Sequence, residues 1–187
     1  MKRQRQIVLI GSTLAFSWLA MQAVHELGHV AAAALSGGRV AEVILHPATI
    51  SYTRLAANPH PLFVAWMGPL IGATLPLAAL AIARYCKLPG WYLCQFFAGF
   101  CLVANGAYLA FGSLSEVGDA GDLLRYGTPL WLPWLFGLVT IPLGIWLWNG
   151  LGPYFGFGAA RGEVNRIAAY VMLGLVVASV GLELLLA

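Results

Sequence analysis

Charge is what this chain has least of. Only 17 of its 187 residues are Asp, Glu, Lys or Arg, while 60% are hydrophobic, and so small a polar complement cannot solvate the outside of a water-soluble globule of this size. Aspartate occurs only at positions 119 and 122, and the ten basic residues are scattered in small groups. They form no continuous stripe of the kind that tracks phosphates, so nucleic acid is not an expected partner. The three cysteines, Cys86, Cys94 and Cys101, are odd in number and contain no Cys-x-x-Cys pair. That excludes a disulfide framework and a thiolate zinc site, and leaves them as small packing residues.

What is abundant is long apolar sequence, and the bilayer is the solvent it implies. A basic start, Met1 to Arg5, leads into an apolar run from Ile7 to about Ser36, stopped by Gly37-Gly38. The start imitates a cleavable leader, but the helical pattern continues unbroken into Val30 to Ala34, which makes it a first span. Further runs cover about Leu62–Ala83, Trp91–Phe111, Leu130–Trp148 and Ile167–Leu186. Between the first two, Val40 to Thr53 is β-prone with His46-Pro47 at the bend, which predicts a short hairpin. The expected fold is an all-α polytopic membrane domain over residues 1–187, with five spans and that hairpin. Pro69, Pro76, Pro133 and Pro142 predict kinks, and Trp91, Trp131, Trp146 and Trp148 read as interfacial anchors. An N-terminus on the cytoplasmic side places seven Lys and Arg inside and three outside, which favours that orientation and puts the hairpin outside.

Within the first span stands His25-Glu26-Leu27-Gly28-His29. Two imidazoles four residues apart share one helical face and can share one metal, and Glu26 falls beside them, placed to act on a water rather than to ligate. Three ionisable groups in an apolar helix are costly and mark function. A catalytic zinc takes three protein ligands, so a third must come from elsewhere in the chain. Both aspartates lie in Ser115 to Leu123, just past the third span. The first and third spans cross in the same direction, so their ends emerge together and the carboxylates can reach the histidines. His46, His60 and Glu116 are the other ligand candidates on that side.

Taken together, residues 24–124 resemble the site-2 protease family of intramembrane zinc metalloproteases, particularly its short bacterial members. Four features in order carry the resemblance: His25-Glu26-x-x-His29, the β-prone stretch Gly37 to Thr53, Met67-Gly68-Pro69, and Asp119-Ala120-Gly121-Asp122-Leu123. The last is similar to the family's Asp-Gly-Gly-x-(Ile/Leu), with Ala120 in place of the first glycine. Asn105 stands 14 positions before Asp119 with no proline between them, unlike the family's usual Asn-Pro turn. The family's zinc usually lies toward the cytosol, opposite to the side the charge count assigns.

The resemblance implies Zn2+ held by His25, His29 and Asp119, with Asp122 a non-ligand and Glu26 as general base. It offers Asn105, Gly68 and Pro69 as candidate substrate-binding residues and the hairpin as a strand that pairs with an unwound substrate. The implied activity is hydrolysis of a peptide bond in or near a transmembrane segment of a membrane-anchored protein, in a bacterial cytoplasmic membrane. The competing class is a noncatalytic membrane scaffold that keeps the fold, and its discriminating feature is a dispensable Glu26.

Overall fold

The computed structural model describes residues 2–186. Its elements in order are α1 (Lys2–Leu35), β1 (Arg39–Ile44), β2 (Tyr52–Ala57), α2 (Pro61–Tyr85), α3 (Trp91–Ser115), α4 (Gly118–Arg125), α5 (Trp131–Trp148), two short 3-10 turns (Gly152–Phe155 and Gly158–Ala160) and α6 (Arg166–Leu186). Five of the helices, α1, α2, α3, α5 and α6, are long and apolar enough to cross a membrane. The chain is thus a multi-pass membrane protein with a two-stranded antiparallel hairpin between its first two spans.

Helix α1 has 34 residues, which at 1.5 Å per residue is roughly 50 Å, well beyond the ~30 Å of a hydrocarbon core. It ends where Gly37 adopts φ +76° and the Gly38 amide donates back to the Ala33 carbonyl at 2.8 Å, a left-handed cap that only glycine takes without strain. Antiparallel pairing then sets Glu42 opposite Arg54, with the carboxylate 3.0 Å from the guanidinium. From Ser51 into β2 the pleat buries Ser51, Thr53 and Leu55 more than Tyr52 and Arg54 between them. Leu55 seals that face by packing with Ala32, Ala33 and Val64.

The most extensive helix–helix contact is that of α3 with α5, and it is made by absent side chains. A Cβ built on Gly144 would lie 2.6 Å from the Gly99 carbonyl, and one on Gly137 would lie 2.8 Å from that of Gly106. Lipid gives apolar helices no hydrophobic reason to associate, so close backbone approach at small residues supplies the packing instead. Pro69, Pro76 and Pro142 lie inside helices. Pro133, expected to kink a span, falls in the first turn of α5, where its missing N–H has no intrahelical partner to lose. Trp131 and Trp146 are exposed as interfacial anchors should be, but Trp148 turns inward, stacks on Phe96 with centroids 5.4 Å apart and donates to the Phe96 carbonyl at 3.0 Å.

Helix α4 is an addition to the expected architecture, which placed no helix in the segment that holds the aspartates. Ala120 and Leu123 explain it. Spaced three apart, both are fully buried against Ala65 and Leu109, so a single apolar edge holds two helical turns against α2 and α3.

Candidate metal centre

Three elements bring the predicted ligands together: His25 and His29 from α1 and Asp119 from α4, the α2 backbone closing behind them. The Nε2 atom of His25 lies 2.7 Å from Oδ2 of Asp119, that of His29 lies 3.2 Å from the same oxygen, and the two Nε2 atoms are 3.1 Å apart. Among the described residues this is the group of His, Cys, Asp and Glu side chains able to hold a metal ion. Four-coordinate ligands at about 2.0–2.2 Å from a zinc stand roughly 3.3–3.5 Å apart, so the triangle is a slightly contracted version of such a face.

Hydrogen bonding at the far side of each ring decides what the near side can do. His25 Nδ1 is 2.7 Å from Oδ1 of Asn105, whose own Nδ2 donates to the Cys101 carbonyl at 2.9 Å. His29 Nδ1 is 2.8 Å from the Val64 carbonyl. Both Nδ1 partners are acceptors, so both Nδ1 atoms carry the proton and, in the neutral rings, both Nε2 lone pairs point at the Asp119 carboxylate. Three acceptors facing one another repel unless a cation sits among them, and a partner oxygen behind each imidazole is the usual support of a metal-ligating histidine. The donor set therefore fits a metal ion.

Asp119 is poised as an anion. Burial alone would raise its carboxyl, but without a cation the pairings with His25 and His29, each then sharing a proton with it through Nε2, outweigh burial and hold it well below the usual carboxylate range. Its backbone amide donates to the Tyr108 hydroxyl at 3.1 Å. Gly118, just before it, has φ +58°, and a Cβ there would fall on that hydroxyl, so position 118 needs glycine on both counts.

Glu26 is buried, and its Oε2 accepts a 2.7 Å hydrogen bond from the Thr53 hydroxyl on β2. One turn earlier on α1, Gln22 accepts from the Ser51 amide at 2.8 Å. These groups border a cavity of about 620 Å³ lined also by the histidines, Tyr108 and Asp119. Strand β2 lines it, whereas β1 does not.

The other sequence candidates stand outside the ligand group. Asp122 borders the cavity but is exposed and lies 3.6 Å from Arg125. His46 is in the hairpin connection, where its Nδ1 accepts from the Ala48 amide at 3.1 Å. His60 precedes the first residue of α2 and Glu116 caps α3. None of the four joins the ligand group. Asn105 is 1% exposed and both ends of its amide are engaged, so its observed work is to hold His25. Gly68 and Pro69, expected along a substrate path, are both buried. A Cβ on Gly68 would collide with Nε2 of His29 and lie 2.8 Å from that of His25, so this glycine makes room for the rings. Sequence reasoning missed the roles of Thr53, Gln22, Tyr108 and the Val64 carbonyl, all of which come from register between elements. No family model matches the chain, and no curated protein or solved structure matches it.

Proposed function

We propose that the protein is an intramembrane zinc endopeptidase that hydrolyses a peptide bond in or near a transmembrane segment of a membrane-anchored protein. One observation carries this reading: two histidine Nε2 atoms and a carboxylate oxygen converge within 3.2 Å of one another, each imidazole fixed from behind by an oxygen acceptor, in a cavity shared with an unligated glutamate. His25, His29 and Asp119 hold the zinc. When bound, zinc supplies Lewis acidity for activating a water and polarising the scissile carbonyl.

The remaining work belongs to the chain. Glu26 takes a proton from the attacking water as the carbon–oxygen bond forms, then delivers it to the amine as the peptide carbon–nitrogen bond breaks. Asn105 and the Val64 carbonyl keep the two rings aimed. Peptide bonds inside a helix are shielded by their own hydrogen bonds, so a spanning substrate must unwind before it is cut. Strand β2, which faces the cavity at the rim of the site, offers its backbone to the unwound segment as an added strand. The bilayer itself is the second partner, since it delivers such a substrate in two dimensions. The resemblance of residues 24–124 to site-2 proteases supports the same assignment.

The test uses Glu26→Gln, which keeps size and removes the base. Purified wild type and variant are reconstituted in liposomes with a library of tagged single-span segments. Zinc content should be equal, and cleavage should fall at least about a hundredfold. Wild-type cleavage by the variant would leave a noncatalytic scaffold as the better account.

A further inference from the structure

The hairpin does more than border the cavity. Its second strand and the residue just before it are fastened to α1 at two points, Ser51 amide to Gln22 Oε1 at 2.8 Å and Thr53 hydroxyl to Glu26 Oε2 at 2.7 Å. The spacings match. Residues 22 and 26 are one helical turn apart, about 6 Å along the axis, and residues 51 and 53 are alternate positions of a strand, roughly 6.7 Å apart. The two elements therefore run side by side in the same direction, with the inward face of β2 in register with the face of α1 that carries the glutamate, and with Leu55 continuing the contact onto Ala32 and Ala33.

The two fastenings differ in kind. Gln22 receives a backbone amide, so that contact docks the strand whatever side chain stands at 51. Thr53 offers a side-chain hydroxyl to one oxygen of a buried carboxylate, and among the described residues it is the hydrogen-bond partner of Glu26. A general base works through one oxygen, and fixing the other removes a rotation that would carry the lone pair out of line. We infer that Thr53 is a positioning residue: the hairpin, through this hydroxyl, sets the carboxylate of Glu26, so the element that receives the substrate strand also aims the base. This deepens the endopeptidase reading and rests on it for the role of Glu26, while the Thr53–Glu26 contact stands independently of any activity.

Thr53→Val keeps the β-branched shape and strand propensity and removes only the hydroxyl; Thr53→Ser keeps the hydroxyl. Gln22→Met loosens the other fastening without touching the base. Two measurements are made on full-length protein in liposomes. The first is the infrared carboxylate stretch of Glu26, isolated as the difference between each protein and its Glu26→Gln counterpart. It should shift in Thr53→Val and return to the wild-type position in Thr53→Ser. The second is cleavage of the tagged single-span segment that wild type cuts best. Thr53→Val should lower kcat at least about tenfold with KM within about twofold, Thr53→Ser should recover most of kcat, and Gln22→Met should raise KM more than it lowers kcat. Zinc content should not change in any of them. An unmoved carboxylate band in Thr53→Val overturns the inference, as does equal loss of kcat in the Val and Ser variants, which would make shape the cause. A band that shifts in Thr53→Val, in a protein whose wild type cuts no segment, overturns the endopeptidase reading and leaves the positioning contact standing.

Discussion

The two ends of this bundle are built from the same helices by opposite means. At the end where α1 stops, His25, Glu26, His29 and Asn105 are all under 10% exposed, and each is hydrogen-bonded to a group from another element. At the end where α1 starts, Leu9 meets Tyr92, Phe155, Ala169 and Met172, with Tyr92 stacked on Tyr154 at 4.8 Å and Phe96 on Trp148 at 5.4 Å. Even the ion pair there, Lys2 with Glu163, is exposed at the surface; it draws the Glu163 carboxyl below its ordinary range but is screened by water. Buried polar networks often recover little beyond their own desolvation, and an apolar replacement of equal shape is often no less stable. Packing at the aromatic end holds the helices in place, whereas the polar end adds little net stability of its own.

That division can be broken from either side. Phe155→Ala removes a buried ring of the aromatic end and should cost about 3 kcal/mol of unfolding free energy, read by denaturant titration in lipid, with zinc content unchanged. Asn105→Leu removes the oxygen behind His25. It should weaken zinc binding by roughly 10–100-fold, the usual worth of such a support, measured by competition with a chelator, while the denaturation midpoint of the aromatic end moves little. Asp122→Ala is the smallest change: its exposed pairing with Arg125 contributes under about 1 kcal/mol, and zinc should stay bound. Loss of zinc in Asp122→Ala, with Asp119→Ala unaffected, would mean the ligand assignment is shifted by one helical turn.

Much of this was legible in sequence, and for physical reasons. Runs of about 20 apolar residues have few alternatives to spanning, so the five helices and the hairpin between the first two follow from hydropathy and turn residues alone. The histidine pair is a helical-period motif, visible because both residues lie in one element, and the crossing directions of α1 and α3 explain why Asp119 lands beside it. What was not legible depends on contacts between elements. Eight residues of α4 carry too little periodicity to announce a helix, and only burial of Ala120 and Leu123 shows it. Asn105 is one amide among apolar residues, and nothing local says that its oxygen faces His25 across 80 positions. Thr53 looked like any β-branched strand residue until the register of β2 against α1 brought it to Glu26.

The central claim is that His25, His29 and Asp119 form one metal centre, and zinc measured directly tests it. Elemental analysis and zinc-edge X-ray absorption on purified wild type should give about one zinc per chain in a nitrogen and oxygen shell with two imidazoles and no sulfur, and His29→Ala or Asp119→Ala should lose most of it. A metal-free wild type loaded with stoichiometric zinc that fails to retain it, or an Asp119→Ala variant that binds zinc as tightly as wild type, would contradict the account.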